Sequence, residues 1–416
     1  MPQNVSLGIC FLWIIILAGC GPSVEQNVAR EDLEEPSNAA TDSTPADAID
    51  WNPPAGPGAM APEWGATEDG IFLTWLEPDD PENRERFTLR VSQYEDGLWS
   101  EPQNIHGGPG FFANWADLPA LTRDADGGLV AHWLGMLGED TYAYGVHLAR
   151  SGDDGASWTA AGLLHDDATP TEHGFVSWVP SPDGLHAFWL DGRGMKDGGP
   201  MTLRTTRLGA DGPEPSVLLD DRVCECCSTD AAWTSNGPVV VYRDRDGEEV
   251  RNIGVVRATP NGWSEPTVLH DDGWQIHGCP VNGPAIAADG DRVAVAWFTV
   301  HHGASRVQVA FSNDGGASFG EPVLLDGDGP LGRVDLALDS AGDAHVLWLA
   351  RQEDSGEIRL RRVTAAGELG DTRVVTQTSQ SRSAGVPRLL RHEDRFLVAW
   401  VEDAKPSRLR VASLGG

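Results

Sequence analysis

Short runs of apolar residues that end on an aromatic side chain recur along the chain from about residue 70 to the C-terminus. Each run is as long as a β-strand, and polar, Gly-rich turns separate it from its neighbours. The closing aromatics lie 58, 56, 53, 55, 51 and 52 residues apart, a period typical of radial or stacked repeat folds. These seven aromatics are Trp75, Trp133, Trp189, Tyr242, Trp297, Trp348 and Trp400.

Each repeat carries further strand signals around its aromatic run. A short strand ending in a turn precedes the run, as in residues 284–290, and an alternating strand follows it, as in residues 307–312. A fourth strand completes the repeat. Four short antiparallel strands repeated every ~50 residues make a β-propeller blade. The sequence therefore predicts an all-β fold, a single seven-bladed β-propeller of four-stranded antiparallel blades over residues 47–416, with six blades as the alternative.

The last repeat ends after its third strand, at residues 408–414. An open ring would leave unpaired strand edges, which folded proteins avoid. We therefore expect residues near 47–52 to supply the missing fourth strand and to close the ring.

The first 20 residues have the pattern of an export signal. The apolar run from Ile9 to Leu17 is too short to span a bilayer comfortably, and small residues follow it. The phrase Leu17-Ala18-Gly19-Cys20 resembles the lipobox of bacterial lipoproteins. This resemblance implies that residues 1–19 are a signal peptide and that Cys20 carries a lipid. It also implies a place in the cell envelope, at the outer membrane facing the periplasm or the cell surface. An ordinary signal peptide or short anchor is the alternative.

Residues 20–46 are acidic, with few large apolar side chains, so they predict a disordered tether between the anchor and the propeller. Over the whole chain, Asp and Glu outnumber Lys and Arg by 63 to 30, and the formal net charge is −33. Such a charge repels polyanions, which argues against nucleic acid as a partner. We expect a monomer.

Two hairpins share the motif Ser-x-Asp-x-Gly-x-Ser-aromatic. The Asp can accept hydrogen bonds from turn amides, the Gly can take a positive φ, and the aromatic ring can lie between blades. The hairpins resemble the Asp boxes of sialidase-like BNR-repeat propellers. Because Asp boxes stabilise turns on the blade periphery, the resemblance implies the fold and not the chemistry. The residues of the two motifs are Ser151, Asp153, Gly155 and Trp158, and Ser312, Asp314, Gly316 and Phe319.

The resemblance raises the question of sialidase chemistry. Sialidases of this group use three Arg to bind a carboxylate, an acid/base Asp and a late Tyr nucleophile beside a Glu. The last of the four tyrosines is Tyr242, which stands at an aromatic anchor position. We therefore expect no sialidase activity. An anion clamp could still form from Arg243, Arg245, Arg333, Arg382 and Arg388. The candidates for catalysis, if there is any, are Asp244, Arg243, Arg333 and Asp335.

Four cysteines follow Cys20, and they stand in two phrases directly before the first strands of the fourth and fifth repeats. Connections that enter first strands pass close to the axis of a propeller, so we expect Cys224, Cys226, Cys227 and Cys279 to cluster there. Three alternatives are open: one or two disulfides, a thiolate site for Cu(I) or Zn(II) completed by His277 or His302, and free or redox-active thiols.

Loops between second and third strands open on the same face of a propeller, so more polar residues are expected there. They are Arg243, Arg245, His301 and His302, joined by His173, Arg333, Asp335 and Arg382 from entry loops. We expect this face to bind a small anionic or glycan ligand, or an envelope partner, without sialidase activity. An exo-α-sialidase-like glycoside hydrolase and a Cu/Zn-thiolate protein are the alternatives, and no cofactor is certain.

Overall fold

A computed structural model describes residues 51–67, 70–182 and 184–415, which form an all-β propeller of seven blades, as the sequence predicts. The alternative of six blades is therefore wrong. Helix in these ranges is confined to two 3₁₀ turns, Met195–Asp197 and Arg382–Ala384, and none of it is long and apolar enough to cross a membrane. The signal peptide, the lipid on Cys20 and the tether are predictions for residues that lie outside the described part of the chain.

Blades 1 to 3 follow one another as antiparallel meanders. Blade 1 contains β1 (Met60–Thr67), β2 (Gly70–Asp80), β3 (Asn83–Glu95), β4 (Leu98–Trp99) and β5 (Gln103–Pro109). Blade 2 contains β6 (Ala120–Arg123), β7 (Leu129–Met136), β8 (Tyr144–Ser151) and β9 (Thr159–Leu163). Blade 3 contains β10 (His173–Ser181), β11 (Gly184–Asp191), β12 (Thr202–Gly209), β13 (Gly212–Pro213) and β14 (Val217–Asp220).

Blades 4 to 7 repeat the pattern. Blade 4 contains β15 (Asp230–Thr234), β16 (Gly237–Arg243), β17 (Ile253–Thr259), β18 (Gly262–Trp263) and β19 (Thr267–Val268). Blade 5 contains β20 (Ala285–Asp289), β21 (Arg292–His301), β22 (Ala304–Ser312) and β23 (Val323–Asp326). Blade 6 contains β24 (Pro330–Leu338), β25 (Ala344–Gln352), β26 (Ser355–Val363) and β27 (Leu369–Thr378), and blade 7 contains β28 (Arg388–His392), β29 (Arg395–Glu402) and β30 (Arg408–Gly415). In blades 1, 3 and 4 the fourth strand is split into two pieces that both pair with the third.

The first strands form the inner ring of the propeller. Each contacts the first strand of the next blade, and β28 contacts β1, so the ring is complete. Apolar clusters fill the spaces between neighbouring blades, one for each of the seven junctions. The anchor aromatics of the second strands lie in these clusters, because a large ring there buries area against two sheets at once. Trp75, Trp189, Tyr242, Trp297 and Trp348 are completely buried.

The two ends of the ring meet through side-chain packing and isolated hydrogen bonds. Blade 7 has three strands in the described part of the chain, and neither Trp51 nor Asn52 belongs to a strand; the rest of the expected closing strand lies outside the described residues. Trp51 is buried in the cluster between blades 1 and 7. The Gly58 amide donates to the Ser407 carbonyl at 2.8 Å, and Trp64 Nε1 donates to the Arg388 carbonyl at 3.3 Å. These contacts join blade 7 to the N-terminal segment.

Candidate functional site

Alternating strand directions bring two kinds of connection to one face of the propeller, which we call the entry face. They are the connections that lead into first strands and the loops that link second to third strands. Side chains from different blades can therefore meet on this face.

At the axis of the entry face, two guanidinium groups share one aromatic ring. The Cζ atoms of Arg333 and Arg382 lie 4.6 and 5.8 Å from the centre of the Trp115 ring. Trp115 comes from the connection into blade 2, whereas the arginines belong to β24 and to the connection into blade 7, so the indole reaches across the axis. We call these three residues the axial mouth.

A sharp backbone turn places Arg333. Its φ is +54°, and Gly332 before it has a φ of +87°. A Cβ on Gly332 would lie 2.1 Å from Asn282 Oδ1, the atom that accepts a 2.7 Å hydrogen bond from the Arg333 amide. The Asn282 carboxamide therefore holds this turn, and glycine is required beside it.

The guanidinium of Arg333 is only partly used. Its Nη1 donates to the backbone carbonyls of Ser381 and Gly385. In the described residues, no carboxylate lies within ion-pair distance of Arg333 or Arg382. Burial, with a smaller effect from the Arg382 charge, lowers the pKa of Arg333 to about 10. Two cations held close together without a counter-ion make the axial mouth suited to an anion.

Acidic side chains surround the axis within the inner ring. A cavity of about 310 Å³ is lined by Glu63, Asp117, Asp230 and Arg388. Three inner-ring carboxylates, of which Asp335 lies outside this cavity lining, join neighbouring blades. Asp117 accepts a hydrogen bond from the Phe175 amide, Asp230 from that of Ile286, and Asp335 from that of Leu389.

A single cation faces several of these acids. Arg388 lies 2.8 Å from Glu63 Oε2 and 3.5 Å from Asp335 Oδ2. Burial raises the pKa of Glu63 and that of Asp230 to about 7 in spite of the Arg388 charge, and it also raises the pKa of Asp335. The predicted clamp and catalytic residues Arg388 and Asp335 thus lie in the inner ring, where they hold blades together.

Three of the four cysteines meet at the entry into blade 4. Cys224 Sγ lies 3.1 Å from Cys227 Sγ and 3.8 Å from Cys226 Sγ, and all three sulfurs lie within 4.8 Å of one another. Cys224 and Cys227 are buried and Cys226 is partly exposed. Cys279, like the neighbouring His277, is exposed and is not part of this group. The expected cluster therefore contains three thiols rather than four, and no cysteine of the described residues is in a disulfide.

Backbone hydrogen bonds hold the three-thiol loop. The Val223 amide donates to the Met201 carbonyl at 2.9 Å, and the Cys224 amide donates to the Arg243 carbonyl at 3.0 Å. The sulfur contacts with Cys226 and Cys227, supported by the Arg251 charge, hold the pKa of Cys224 well below its usual value.

The arginines around this loop have different surroundings. Arg243 is 1% exposed, and its three nitrogens donate to the carbonyls of Asn282, Arg251 and Phe298, so it joins blades 4 and 5. Arg245 is partly exposed and pairs with Glu225 and Glu249. Because Arg243 is buried and donates to three backbone carbonyls, it is not accessible to a ligand, contrary to its predicted place in an anion clamp.

A second polar group lies where blade 3 begins. The rings of His165 and His173 stack with centroids 4.0 Å apart. His173 Nε2 lies 2.9 Å from Asp167 Oδ2 and Nδ1 lies 3.0 Å from the Thr171 carbonyl. His165 Nε2 accepts from the Val146 amide. A metal ion could be held by His165, Asp167 and His173, but all four ring nitrogens already have hydrogen-bond partners. Unlike the thiols, these side chains are held as a structural network.

The remaining predicted residues are more scattered. Burial raises the pKa of Asp244 to about 6, and its Oδ1 accepts from the Arg245 amide. His301 Nδ1 lies 2.9 Å from the Asp272 carbonyl, and His302 is exposed at the turn before β22 with a φ of +50°. Neither histidine belongs to a group that could hold a metal ion in the described part of the chain.

The two Asp boxes have the same hydrogen bonds in blades 2 and 5. Asp153 Oδ1 accepts from the Ser157 amide and Asp314 Oδ1 from the Ser318 amide, both at 2.9 Å. Gly155 and Gly316 have φ values of +86° and +79°. The Trp158 ring packs on the cluster between blades 1 and 2, and Phe319 on that between blades 4 and 5. Both boxes lie on the periphery, away from the entry face.

Sequence reasoning missed Trp115, Arg251 and Glu172. Trp115 stands in the phrase Asn114-Trp115-Ala116-Asp117, outside the seven anchor positions, and that departure from the repeat is the signal that could have found it. Glu172 accepts a 2.6 Å hydrogen bond from the Tyr144 hydroxyl, and burial raises its pKa to about 7. No local pattern marks it.

The comparisons with known proteins concern the fold. No protein family and no curated protein matches this sequence. An ulvan lyase of polysaccharide lyase family 25, solved with -[GlcA(1-4)Rha3S]-, is 12% identical with a TM-score of 0.57, covering 88% of this chain and 96% of that one. The polysaccharide lyase Uly1 is 10% identical with a TM-score of 0.53, covering 87% and 90%. A protein of unknown function from Dyadobacter fermentans is 16% identical with a TM-score of 0.51, covering 89% and 98%.

Sialidase and arabinanase propellers also match, with TM-scores of 0.44 and 0.49. The three structures with TM-scores of 0.51 to 0.57 support the propeller fold that the sequence predicts, and at 10–16% identity they concern the fold alone.

Proposed function

We propose that this propeller binds an anionic saccharide at the axial mouth, without hydrolysing it. One observation carries the proposal: Arg333 and Arg382 lie against the two-ring system of Trp115 with no carboxylate partner in the described residues. Guanidinium groups bind carboxylates and sulfates through paired hydrogen bonds, and an indole offers an apolar face for a sugar ring. The net charge of the chain is −33, so two arginines without an acidic partner form a positively charged spot on an otherwise acidic protein.

The structural neighbours support the chemical class of the ligand. The ulvan lyase was solved with an oligosaccharide that contains glucuronic acid and a sulfated rhamnose. At 12% identity this likeness concerns the fold alone, so it bears on the proposal only as an indication of what such propellers can accommodate. Location in the cell envelope, through a lipid on Cys20, belongs to the same proposal.

The surroundings of the tyrosines favour binding over sialidase-like hydrolysis. Tyr144 and Glu172 form a Tyr–Glu pair, but Tyr144 is 1% exposed. Burial and the charges of Asp117 and Glu172 raise the pKa of Tyr144 well above its usual value. Tyr242 is completely buried and donates to Asp220. A nucleophile needs an exposed oxygen and a lowered pKa, and neither hydroxyl has them.

Calorimetric titration with two oligosaccharides tests the proposal. The first is an oligoglucuronate without unsaturated uronate ends, and the second is the same oligosaccharide after its carboxyls are reduced to alcohols. We expect the acidic form to bind and the neutral form to bind at least about tenfold more weakly, since one charge-assisted hydrogen bond is worth about 1.5–3 kcal/mol. Arg382→Ala and Trp115→Ala should each weaken binding by at least about tenfold.

Arg373→Ala is the matched control, because Arg373 is exposed on β27 and lies outside the axial mouth. Its affinity should equal that of the native chain. Equal binding of the neutral and acidic oligosaccharides, or an affinity that Arg382→Ala leaves unchanged, would overturn the site. Release of a fluorophore from a fluorogenic sialoside would restore the hydrolase alternative.

A second candidate function rests on the cysteines. Cys224, Cys226 and Cys227 present three sulfurs within metal-ligand spacing, and thiolates are the ligands that copper and zinc prefer. We propose that this cluster, rather than His277, His302 or Cys279, binds a thiophilic metal ion.

A further inference from the structure

We propose that Cys224, Cys226 and Cys227 form a three-coordinate site for one Cu(I) ion. This inference rests on the proposal that the cluster binds a metal, and it names the ion and its ligand set.

The spacing of the sulfurs comes first. At a metal–sulfur distance of about 2.3 Å, ligands in tetrahedral or trigonal geometry lie about 3.7–4.0 Å apart. Cys226 Sγ is 3.8 Å from Cys224 Sγ, and Cys227 Sγ is 3.1 Å from it. To admit an ion, the distance between Cys224 Sγ and Cys227 Sγ would have to increase by less than about 1 Å. A small rotation about χ1 is enough for such a shift.

The number of ligands distinguishes the metals. Among the described residues, no imidazole, carboxylate or fourth thiol lies within 4.8 Å of all three sulfurs. The nearby Glu225 carboxylate is already paired with Arg245 and Arg251. Structural zinc sites take four protein ligands, whereas a soft monovalent ion such as Cu(I) is satisfied by three thiolates.

The charge around the cluster is the third argument. Three thiolates with one Cu(I) carry two negative charges, and burying them requires cations nearby. Arg251 is 2% exposed, and its Nε is buried without a hydrogen-bond partner. The Arg251 charge also acts on Cys224, and the Arg243 charge acts on Cys227. Arg251 also pairs with Glu225 and Glu249, whereas Arg243 has no carboxylate partner among the described residues. Arg243 is therefore the buried cation that is left to compensate the charge of an occupied site.

The cluster is also open to an incoming ion on one side. Cys226 is partly exposed, whereas Cys227 is covered by the Asn282 amide, which lies 3.5 Å from its sulfur. An ion would enter past Cys226 and displace only thiol protons.

Anaerobic titration of the full-length, reduced and metal-free chain with Cu(I), in competition with a chromophoric Cu(I) chelator, tests this. We expect one Cu(I) per chain, with X-ray absorption showing three sulfur neighbours at about 2.3 Å. Cys226→Ser should lower the affinity by more than about 100-fold, because even residues that only support a metal ligand are worth 10–100-fold. The unfolding midpoint of this variant, whose altered side chain is partly exposed, shows whether the fold is retained.

Cys279→Ser is the matched control and should bind Cu(I) as the native chain does. Loss of the ion in Cys279→Ser would overturn the set of three thiols. Tighter binding of Zn(II) than of Cu(I), with nitrogen or oxygen among its neighbours, would overturn the choice of ion and leave the metal-binding cluster standing. If neither ion binds, or if Cys224 and Cys227 are found joined by a disulfide that reductant does not open, the proposed Cu(I) site and the proposed metal-binding cluster both fail.

Discussion

Individual arginines with the same place in the sequence pattern have opposite uses in this propeller. Arg243 and Arg333 both belong to elements that open on the entry face, and both were expected to bind an anion. Arg243 donates all three nitrogens to backbone carbonyls, whereas Arg333 faces the Trp115 ring beside a second cation. Burial separates these two uses, and burial depends on the neighbouring blade, which local sequence does not show.

Carboxylates also have residue-level roles that only the three-dimensional contacts reveal. Asp326 accepts hydrogen bonds from Trp348 Nε1 at 2.8 Å and from Arg359 Nη1 at 3.1 Å. Asp220 and Asp272 likewise accept from Tyr242 and Trp297. In all three cases the acid ends or follows the outer strand of one blade and binds the anchor aromatic of the next.

Asp326→Ala should lower the free energy of unfolding by about 2–4 kcal/mol, because it leaves the completely buried Trp348 Nε1 unpaired and removes a partner of Arg359. Asp328→Ala, two residues further along and exposed, should change it by less than about 0.5 kcal/mol. Urea denaturation of both variants gives the comparison. Equal losses in the two would mean that the hydrogen bond to the anchor ring contributes little.

At the scale of strands and turns, the repeat pattern predicts most of the fold. The seven aromatic anchors give the number of blades because an inter-blade core needs one large ring per second strand. The acid partners could also have been found, since phrases such as Leu218-Leu219-Asp220-Asp221 and Leu269-His270-Asp271-Asp272 recur before first strands. The position of Cys279 could not, because it depends on how one irregular connection turns outward while the Cys224 loop is held by backbone hydrogen bonds.

The Asp box of blade 5 provides a test at this scale. Asp314 accepts hydrogen bonds from the Ser312 hydroxyl and from the Ser318 amide and hydroxyl. These hydrogen bonds lower the pKa of Asp314 to about 2. Asp314→Ala should cost about 1–2 kcal/mol of unfolding free energy at pH 7. A carboxyl with a lowered pKa contributes stability above its unfolded pKa and loses it as the pH falls, so the difference from the native chain should shrink between about pH 4 and pH 2.

Asp371→Ala, an exposed acid on β27, is the control for that comparison and should match the native chain throughout. A difference between Asp314→Ala and the native chain that stays constant down to pH 2 would show that the box acts through packing of Phe319 rather than through the carboxylate.

For the whole molecule, the inner ring joins all seven blades, and it concentrates acids around Arg388. One guanidinium cannot neutralise Glu63, Asp230 and Asp335 together, so ionising all of them opposes the folded state. This charge distribution makes the stability of the inner ring depend on pH, and the net charge of −33 alone does not predict that dependence. The axial mouth, by contrast, holds cations without acids, so the axis carries charges of opposite sign at different positions.

The melting temperature should therefore be highest near about pH 5. Burial raises the pKa of Glu63 and Asp230 to about 7. A carboxyl that binds its proton more tightly when folded stabilises fully below its unfolded pKa and loses that effect as the pH rises through the folded one, here between about pH 4 and 7. Below about pH 4, acids with a lowered pKa of about 2, such as Asp166 and Asp167, lose their contribution. Asp230→Asn cannot ionise, but it keeps only one of the two oxygens that accept the Ala231 and Ile286 amides. It should therefore melt below the native chain at pH 5, and this difference should shrink or reverse at pH 8, whereas Asp371→Asn should follow the native profile. A native melting temperature that rises from pH 5 to pH 8, or an Asp230→Asn variant destabilised equally at both values, would show that the inner-ring acids are ionised without cost to the fold.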